Sequence, residues 1–197
     1  MKCILCRSQN LARLQEIRAS DLIALYGKMG VCVEHILKND LEYYQCKDCD
    51  VRFFALKNGE IPTGDDEFYT SLIKNSWYYM SEKNEYEFAK KFVKAGARVL
   101  EVGCGAGVFG KSLKGKAEYV GLEFSSKAKE LASENGVEIH NILVQDFVAQ
   151  NPKNIKGFDV ACSFQVLEHT LDPHLFIKSQ IDCLNANWGG GAEVKLA

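Results

Sequence analysis

The chain has 197 residues, 47% apolar, 11% aromatic and 25% charged, which suits one generous globular domain or a domain with a small module. That composition excludes disordered, collagen-like and mucin-like classes. Lys plus Arg (24) against Asp plus Glu (26) leaves a net charge of -2 and a pI near 6.1, so a globally basic nucleic-acid binder is disfavoured.

The first residues, Met1-Lys2-Cys3-Ile4-Leu5-Cys6-Arg7, carry no apolar stretch of the signal-peptide kind, and no run of 18 apolar residues occurs anywhere. A cytoplasmic protein outside the membrane is predicted. In a reducing compartment, clustered cysteines bind metal more often than they pair covalently. Of the 8 cysteines, Cys3 and Cys6 form one C-x-x-C pair and Cys46 and Cys49 another, while Cys32, Cys104, Cys162 and Cys183 stand apart. Two such turns brought together make the four-thiolate tetrahedral site of structural zinc. The alternative is four free thiols in a small α+β segment; a redox role needs only one pair and a following helix.

Between the pairs, Ala19 to Tyr26 reads as a helix with Ser20 or Asp21 as N-cap, broken by Gly27 and Gly30. Leu41 to Cys46 and Val51 to Leu56 read as strands on either side of the second pair, a ribbon-like pattern. Residues 1–58 hold 9 Lys or Arg and 7 Asp or Glu, with no basic stripe, so the predicted module shapes structure or substrate rather than gripping a polyanion.

Gly59 to Asp66 is turn-rich and marks a boundary. Residues 59–95 are then aromatic, and Phe88, Phe92 and Val93 repeat at helical spacing up to Gly96. Two readings stand: an aromatic helix face packed on the next domain, or a lid in which Trp77, Tyr78 and Tyr79 cover a ligand.

Arg98 to Gly110 (RVLEVGCGAGVFG) is a short apolar strand, a glycine loop and a helix start, the unit that brings backbone N–H groups against a nucleotide. Counted from the strand end, Gly103, Gly105 and Gly107 bring the third glycine one residue earlier than the dinucleotide fingerprint does. Glu101 beside the loop would repel a pyrophosphate but complements a ligand carrying ammonium and sulfonium charges, which points to S-adenosylmethionine. A second strand, Glu118 to Phe124, ends in Glu123, an acid suited to both ribose hydroxyls or else simply exposed at a strand end.

Ser125 or Ser126 caps a helix that stops at Gly136, Val137 to His140 reads as a third strand, and Phe158 to Val166 as a fourth. Asp172-Pro173 opens the next helix. The order predicts an α/β fold with a doubly wound, mostly parallel sheet behind a small zinc-ribbon-like module.

VLEVGCGAG at 99–107, Gly121-Leu122-Glu123 and FDVACSFQVLEH at 158–169 resemble the class I S-adenosylmethionine-dependent methyltransferases, and CILC with CKDC resembles members that carry an N-terminal zinc-binding module. The resemblance implies a Rossmann-like core over 96–197, a zinc module over 1–58 and a helical linker over 59–95. It implies that Glu101, Gly103, Cys104, Gly105, Gly107, Glu123 and Gln165 line the cofactor, with Cys3, Cys6, Cys46 and Cys49 on zinc. His169, past the fourth strand, is the candidate base; its other reading is a hydrogen bond at the turn before Pro173.

Two departures stand out. Leu143 occupies the neighbourhood where the family has an adenine-contacting acid, with Asp146 nearby. After Leu184 the chain runs to Ala197 without the family's Lys-Pro-Gly-Gly turn, leaving room for a fifth strand at most in the last six residues. An incomplete core is therefore expected. The predicted acceptor is a small molecule such as a sugar; the alternatives are an RNA held by the zinc module, and a catalytically silent chain that binds cofactor or a partner. Nothing in the sequence speaks to oligomeric state.

Overall fold

A computed structural model of the chain describes residues 1–75, 78, 83–150 and 157–185. They form two compact units: residues 1–75 with 169–174, and the described residues of 76–168 with 175–185. The residues after Asn185, with the expected fifth strand, and Trp77 and Tyr79 of the expected lid lie outside the described residues.

The first unit is a three-stranded antiparallel sheet in sequence order, β1 (Leu11–Ile17), β2 (Leu41–Cys46) and β3 (Arg52–Leu56), with α1 (Ala19–Gly27) between β1 and β2 and α2 (Asp66–Ile73) after the sheet. β2 and β3 match the sequence reading, and cross-strand rings hold their register: Tyr43 stacks on Phe54 with centroids 4.5 Å apart and Tyr44 on Phe53 at 5.8 Å. β1 was not anticipated. It pairs with β2 through an irregularity between Arg13 and Gln15, and its four central residues are exposed, so it lacks the alternation that announces a strand.

The N-cap of α1 is also corrected. Arg18 occupies it without a capping side-chain bond, and the N–H of Ala19 is taken by Asp40 Oδ1 at 3.0 Å, so Ser20 and Asp21 lie inside the helix. A tertiary acceptor replaces the local cap.

The second unit runs α3 (Asn84–Lys90), β4 (Arg98–Val102), α4 (Val108–Ser112), β5 (Glu118–Leu122), α5 (Ser126–Glu134), β6 (Glu138–His140), α6 (Val144–Gln150) and β7 (Val160–Cys162). A single 3-10 turn (Leu167–His169) and α7 (Pro173–Asp182) follow. The strands lie in the order β6-β5-β4-β7, all parallel. This is the expected doubly wound α/β sheet, and β4 and β7 flank the point at which strand order reverses.

β4 is buried from Val99 to Val102, Glu101 included, because both faces are covered. Leu100 and Val102 pack with Val120, Leu122, Phe158 and Phe176 on one side. Val99 packs on the other with Phe109, Leu113, Tyr86 and Phe164. Tyr86 and Val93 provide the buried face of the aromatic segment, whereas Phe88 and Phe92, expected to pack inward, are 41% and 38% exposed. The fourth strand is shorter than expected, ending at Cys162 before a bend; Gln165 then takes a φ of 57°, which no strand accommodates. Ser125 caps α5, accepting from the N–H of Ala128 at 3.4 Å.

Candidate cofactor loop and cysteine cluster

Gly103, Gly105 and Gly107 all have positive φ (72°, 52° and 69°), which bends the chain from β4 back into α4 at the carboxyl edge of the sheet. Two of them are also demanded by space. A Cβ on Gly103 would meet Val166 Cγ2 at 2.5 Å, and one on Gly107 would meet Val137 Cγ2 at 2.5 Å. The loop is tied to β5: Gly103 and Cys104 both donate N–H to the Leu122 carbonyl, at 2.8 and 3.1 Å.

Glu123 completes this tether. Its Oε2 accepts the Gly105 N–H and its Oε1 the Ser125 N–H, each at 2.8 Å, so one carboxylate joins the loop to the start of α5. Asn141, which the sequence reading passed over, donates to the carbonyls of Glu123 and Phe124 at 2.8 and 2.6 Å and holds this strand end from the β6 side.

Glu101 is 2% exposed in the middle of the sheet, between Gly121 and Cys162 on the flanking strands. Burial pushes its carboxyl up to about 8, a shift enhanced by the charge of Glu123 and opposed by the hydrogen bond from the Tyr119 hydroxyl and the charge of Lys83. Burial also raises the Cys104 and Tyr119 groups well above their ordinary values, with Glu101 reinforcing both. Neutral Cys104 is accommodated because position 121 is glycine: a Cβ there would meet Cys104 Sγ at 2.6 Å.

Gln165 is exposed, and its Oε1 lies 3.4 Å from Lys83 Nζ. Asp159, in the FDV stretch, is structural: it accepts the Arg98 N–H at 2.9 Å and the Asn185 amide at 3.0 Å. His169 is exposed at the end of the 3-10 turn and belongs by its contacts to the first unit, in the stretch where Asp172 pairs with Arg7 at 2.7 Å. The loop glycines, Glu101, Glu123 and Gln165 thus share the second unit, and His169 does not.

In the first unit the sulfurs of Cys3, Cys6, Cys46 and Cys49 all lie within 4.8 Å of one another, with Cys3 to Cys49 at 3.6 Å and Cys6 to Cys46 at 3.5 Å. A tetrahedron with Zn–S bonds of about 2.3 Å has sulfurs about 3.8 Å apart. The two turns repeat one geometry: Arg7 and Asp50, each directly after the second cysteine, have φ of 63° and 59° and donate N–H to the first cysteine's carbonyl at 3.1 Å. Burial raises the Cys3 thiol, but N–H groups of Cys6 and Leu5 aimed at its sulfur outweigh that and bring it down to about 7. Such donors favour thiolate at Cys3, while at Cys6 and Cys49 a backbone hydrogen bond is outweighed by burial and the neighbouring thiols, which raise both in the same cluster.

Residues 76–194, more than half of the chain, match the methyltransferase domain family. The chain belongs to that family. Over 184 residues it is 29% identical to a Methanocaldococcus jannaschii protein provisionally named as a ribosomal RNA large subunit methyltransferase, an alignment covering 85% of this methyltransferase-family chain and 41% of the relative. It is 30% identical over 126 residues to the ubiquinone biosynthesis O-methyltransferase of Glaesserella parasuis, covering 60% of this chain and 50% of that protein. Among solved structures, a SAM-dependent methyltransferase from Archaeoglobus fulgidus superposes with a TM-score of 0.48 at 21% identity, over 59% of this chain and 54% of that one. The chain spans half or less of the length of these two curated relatives. No helix among the described residues is long and apolar enough to cross a membrane.

Proposed function

We propose that the chain is an S-adenosylmethionine-dependent methyltransferase that alkylates an oxygen of a small molecule, with residues 1–58 forming a zinc-binding module, 59–95 a helical linker and 96–197 the cofactor-binding core. The observation that carries this reading is the glycine loop at the carboxyl edge of β4, with buried Glu101 behind it and Glu123 tying it to β5. S-adenosylmethionine supplies an electrophilic methyl group on a sulfonium.

The chain's own contribution is binding and alignment, since in-line displacement is accelerated chiefly by holding donor and acceptor on one axis. The backbone of Gly103, Cys104, Gly105 and Gly107 lets the cofactor approach closely. Glu123 accepts from ribose hydroxyls, ionised Glu101 answers the ammonium group, and Gln165 lines the methyl-donor end. The four cysteines hold zinc in a closed structural site; their sulfur spacing supports this. The ubiquinone O-methyltransferases among the relatives support a hydroxyl acceptor on a small metabolite, a sugar or a ring alcohol.

One observation favours a second reading. The alignment with the archaeal protein named for ribosomal RNA spans 85% of the chain, against 60% for the ubiquinone enzyme, and so extends into the cysteine module. Calorimetric binding of S-adenosylmethionine tests the shared premise, and its absence would end both readings. Methyl transfer to hydroxylated small molecules, insensitive to salt, is the expected result. Transfer to RNA with binding that falls steeply with salt would replace it with the second reading.

A further inference from the structure

Cys32 looks isolated when cysteines alone are compared, but it opens a second metal-ligand turn, Cys32-x-x-His35. The turn is tight: Ile36 and Leu37 both donate N–H to the Val33 carbonyl, at 3.0 and 2.8 Å. Val31 and Val33 are 1% and 2% exposed on either side of Cys32, anchoring the loop and leaving the intervening thiol outside the core. The Cys32 sulfur, a His35 ring nitrogen and a carboxylate oxygen of Glu67 in the first turn of α2 all lie within 4.8 Å of one another. None of the three belongs to the four-cysteine cluster.

A separate observation concerns the imidazole. His35 Nε2 is enclosed and faces Asp65 Oδ2 at 2.9 Å, so a carboxylate fixes the ring's orientation as it does behind a metal-bound imidazole. Asp65 is committed elsewhere by its other oxygen, which accepts the Phe68 N–H at 2.9 Å as the N-cap of α2. Its position beside the ring is therefore set by the helix.

We propose that Cys32, His35 and Glu67 bind a second divalent transition-metal ion, with Asp65 as a positioning residue that steadies the imidazole and adds negative charge. Sulfur, nitrogen and oxygen together form a zinc donor set, and the thiolate disfavours magnesium and calcium. Three protein ligands leave one position for water, so the site is open where the four-cysteine site is closed. The ion clips the loop at 31–37 to the first turn of α2.

The test is zinc content of the untagged full chain, purified without chelator, by elemental mass spectrometry. Two zinc ions per chain are expected, falling to one in Cys32→Ser and in His35→Gln with unchanged circular dichroism. One zinc in the wild type, or two retained in Cys32→Ser, would overturn the proposal. Cobalt titration checks it where a variant folds poorly: Cys32→Ser should lose only the weaker equivalent and leave the intense thiolate charge-transfer bands of the four-cysteine site. Asp65→Asn keeps an acceptor for the cap but removes the charge. It should weaken the second equivalent about tenfold and leave the first alone, and unchanged affinity would remove Asp65 from the site.

Discussion

The two units reach order by different means. In the first, the cysteine turns are held by sulfur-directed N–H groups and a polar net in which Asp48 accepts from Ser8 and Asn10, and α1 contributes no buried residue. In the second, a four-stranded parallel sheet is sealed on both faces, and even a carboxyl group, Glu101, is enclosed. On the proposed reading, the cysteine turns depend on a bound ion, and the sheet of the second unit on packing alone. Each therefore responds to a different perturbation.

The largest expected effect follows metal removal. A four-thiolate zinc site contributes on the order of 10 kcal/mol to a small module, so a strong chelator, or Cys46→Ser, should abolish amide-exchange protection in β2 and β3. Protection in β4 and β5, and affinity for S-adenosylmethionine, should survive; simultaneous loss in both units would break the contrast.

Glycine replacement sharpens it from the packing side. Gly107→Ala forces a side chain into positive φ and against Val137, and should destabilise the second unit by about 3 kcal/mol in a denaturant titration. Gly30→Ala, at φ 71° but with nothing within 4 Å of the added Cβ, should cost about 1 kcal/mol in the first. Equal costs would mean that packing does not distinguish the two.

Glu123→Ala removes the acceptor of two backbone N–H groups that shape the loop, and should weaken cofactor binding by about 2 kcal/mol, roughly thirtyfold, with Glu123→Gln intermediate. Retention of full affinity in the alanine variant would detach Glu123 from the site.

Within the second unit alone, a pH dependence is expected. The Glu101 carboxyl is raised from 4.5 to about 8, so the folded chain keeps a proton that the unfolded chain releases. Stability of the ligand-free second unit should therefore fall as pH rises from about 4.5 and level off above about 8. Pairing with an ammonium needs the ionised form, so cofactor affinity should rise over the same interval, by at most about tenfold per pH unit. Glu101→Gln should flatten both curves, and a wild type already flat between pH 6 and 8 would contradict the burial of that proton.

Much of the site was legible because its demands are local. A loop that must turn through three positive φ values needs glycine at 103, 105 and 107, and that spacing survives in the sequence whatever the fold does. Tyr119 and Asn141 were not legible, since each acts across the sheet on a residue distant in the chain. β1 was hidden because an edge strand with exposed central residues has no period to display. Phe88 and Phe92 misled for the opposite reason: helical spacing identifies a face, but only the neighbouring core determines what is buried, and of the predicted repeat it took Val93 alone, with Tyr86.

The sequence by itself determined the two C-x-x-C turns, the strand-loop-helix with its glycine register, and the alternation of strands and helices that makes a parallel sheet. These follow from short-range geometry and need no partner. Tertiary structure alone decided that Glu101 is buried with its carboxyl raised to about 8, that Glu123 bridges the loop to α5, that His169 groups with the first unit, and that Cys32 stands beside His35 and Glu67. Each of these depends on which distant backbone or side chain comes within a few ångströms, and desolvation and hydrogen bonding act only over that range.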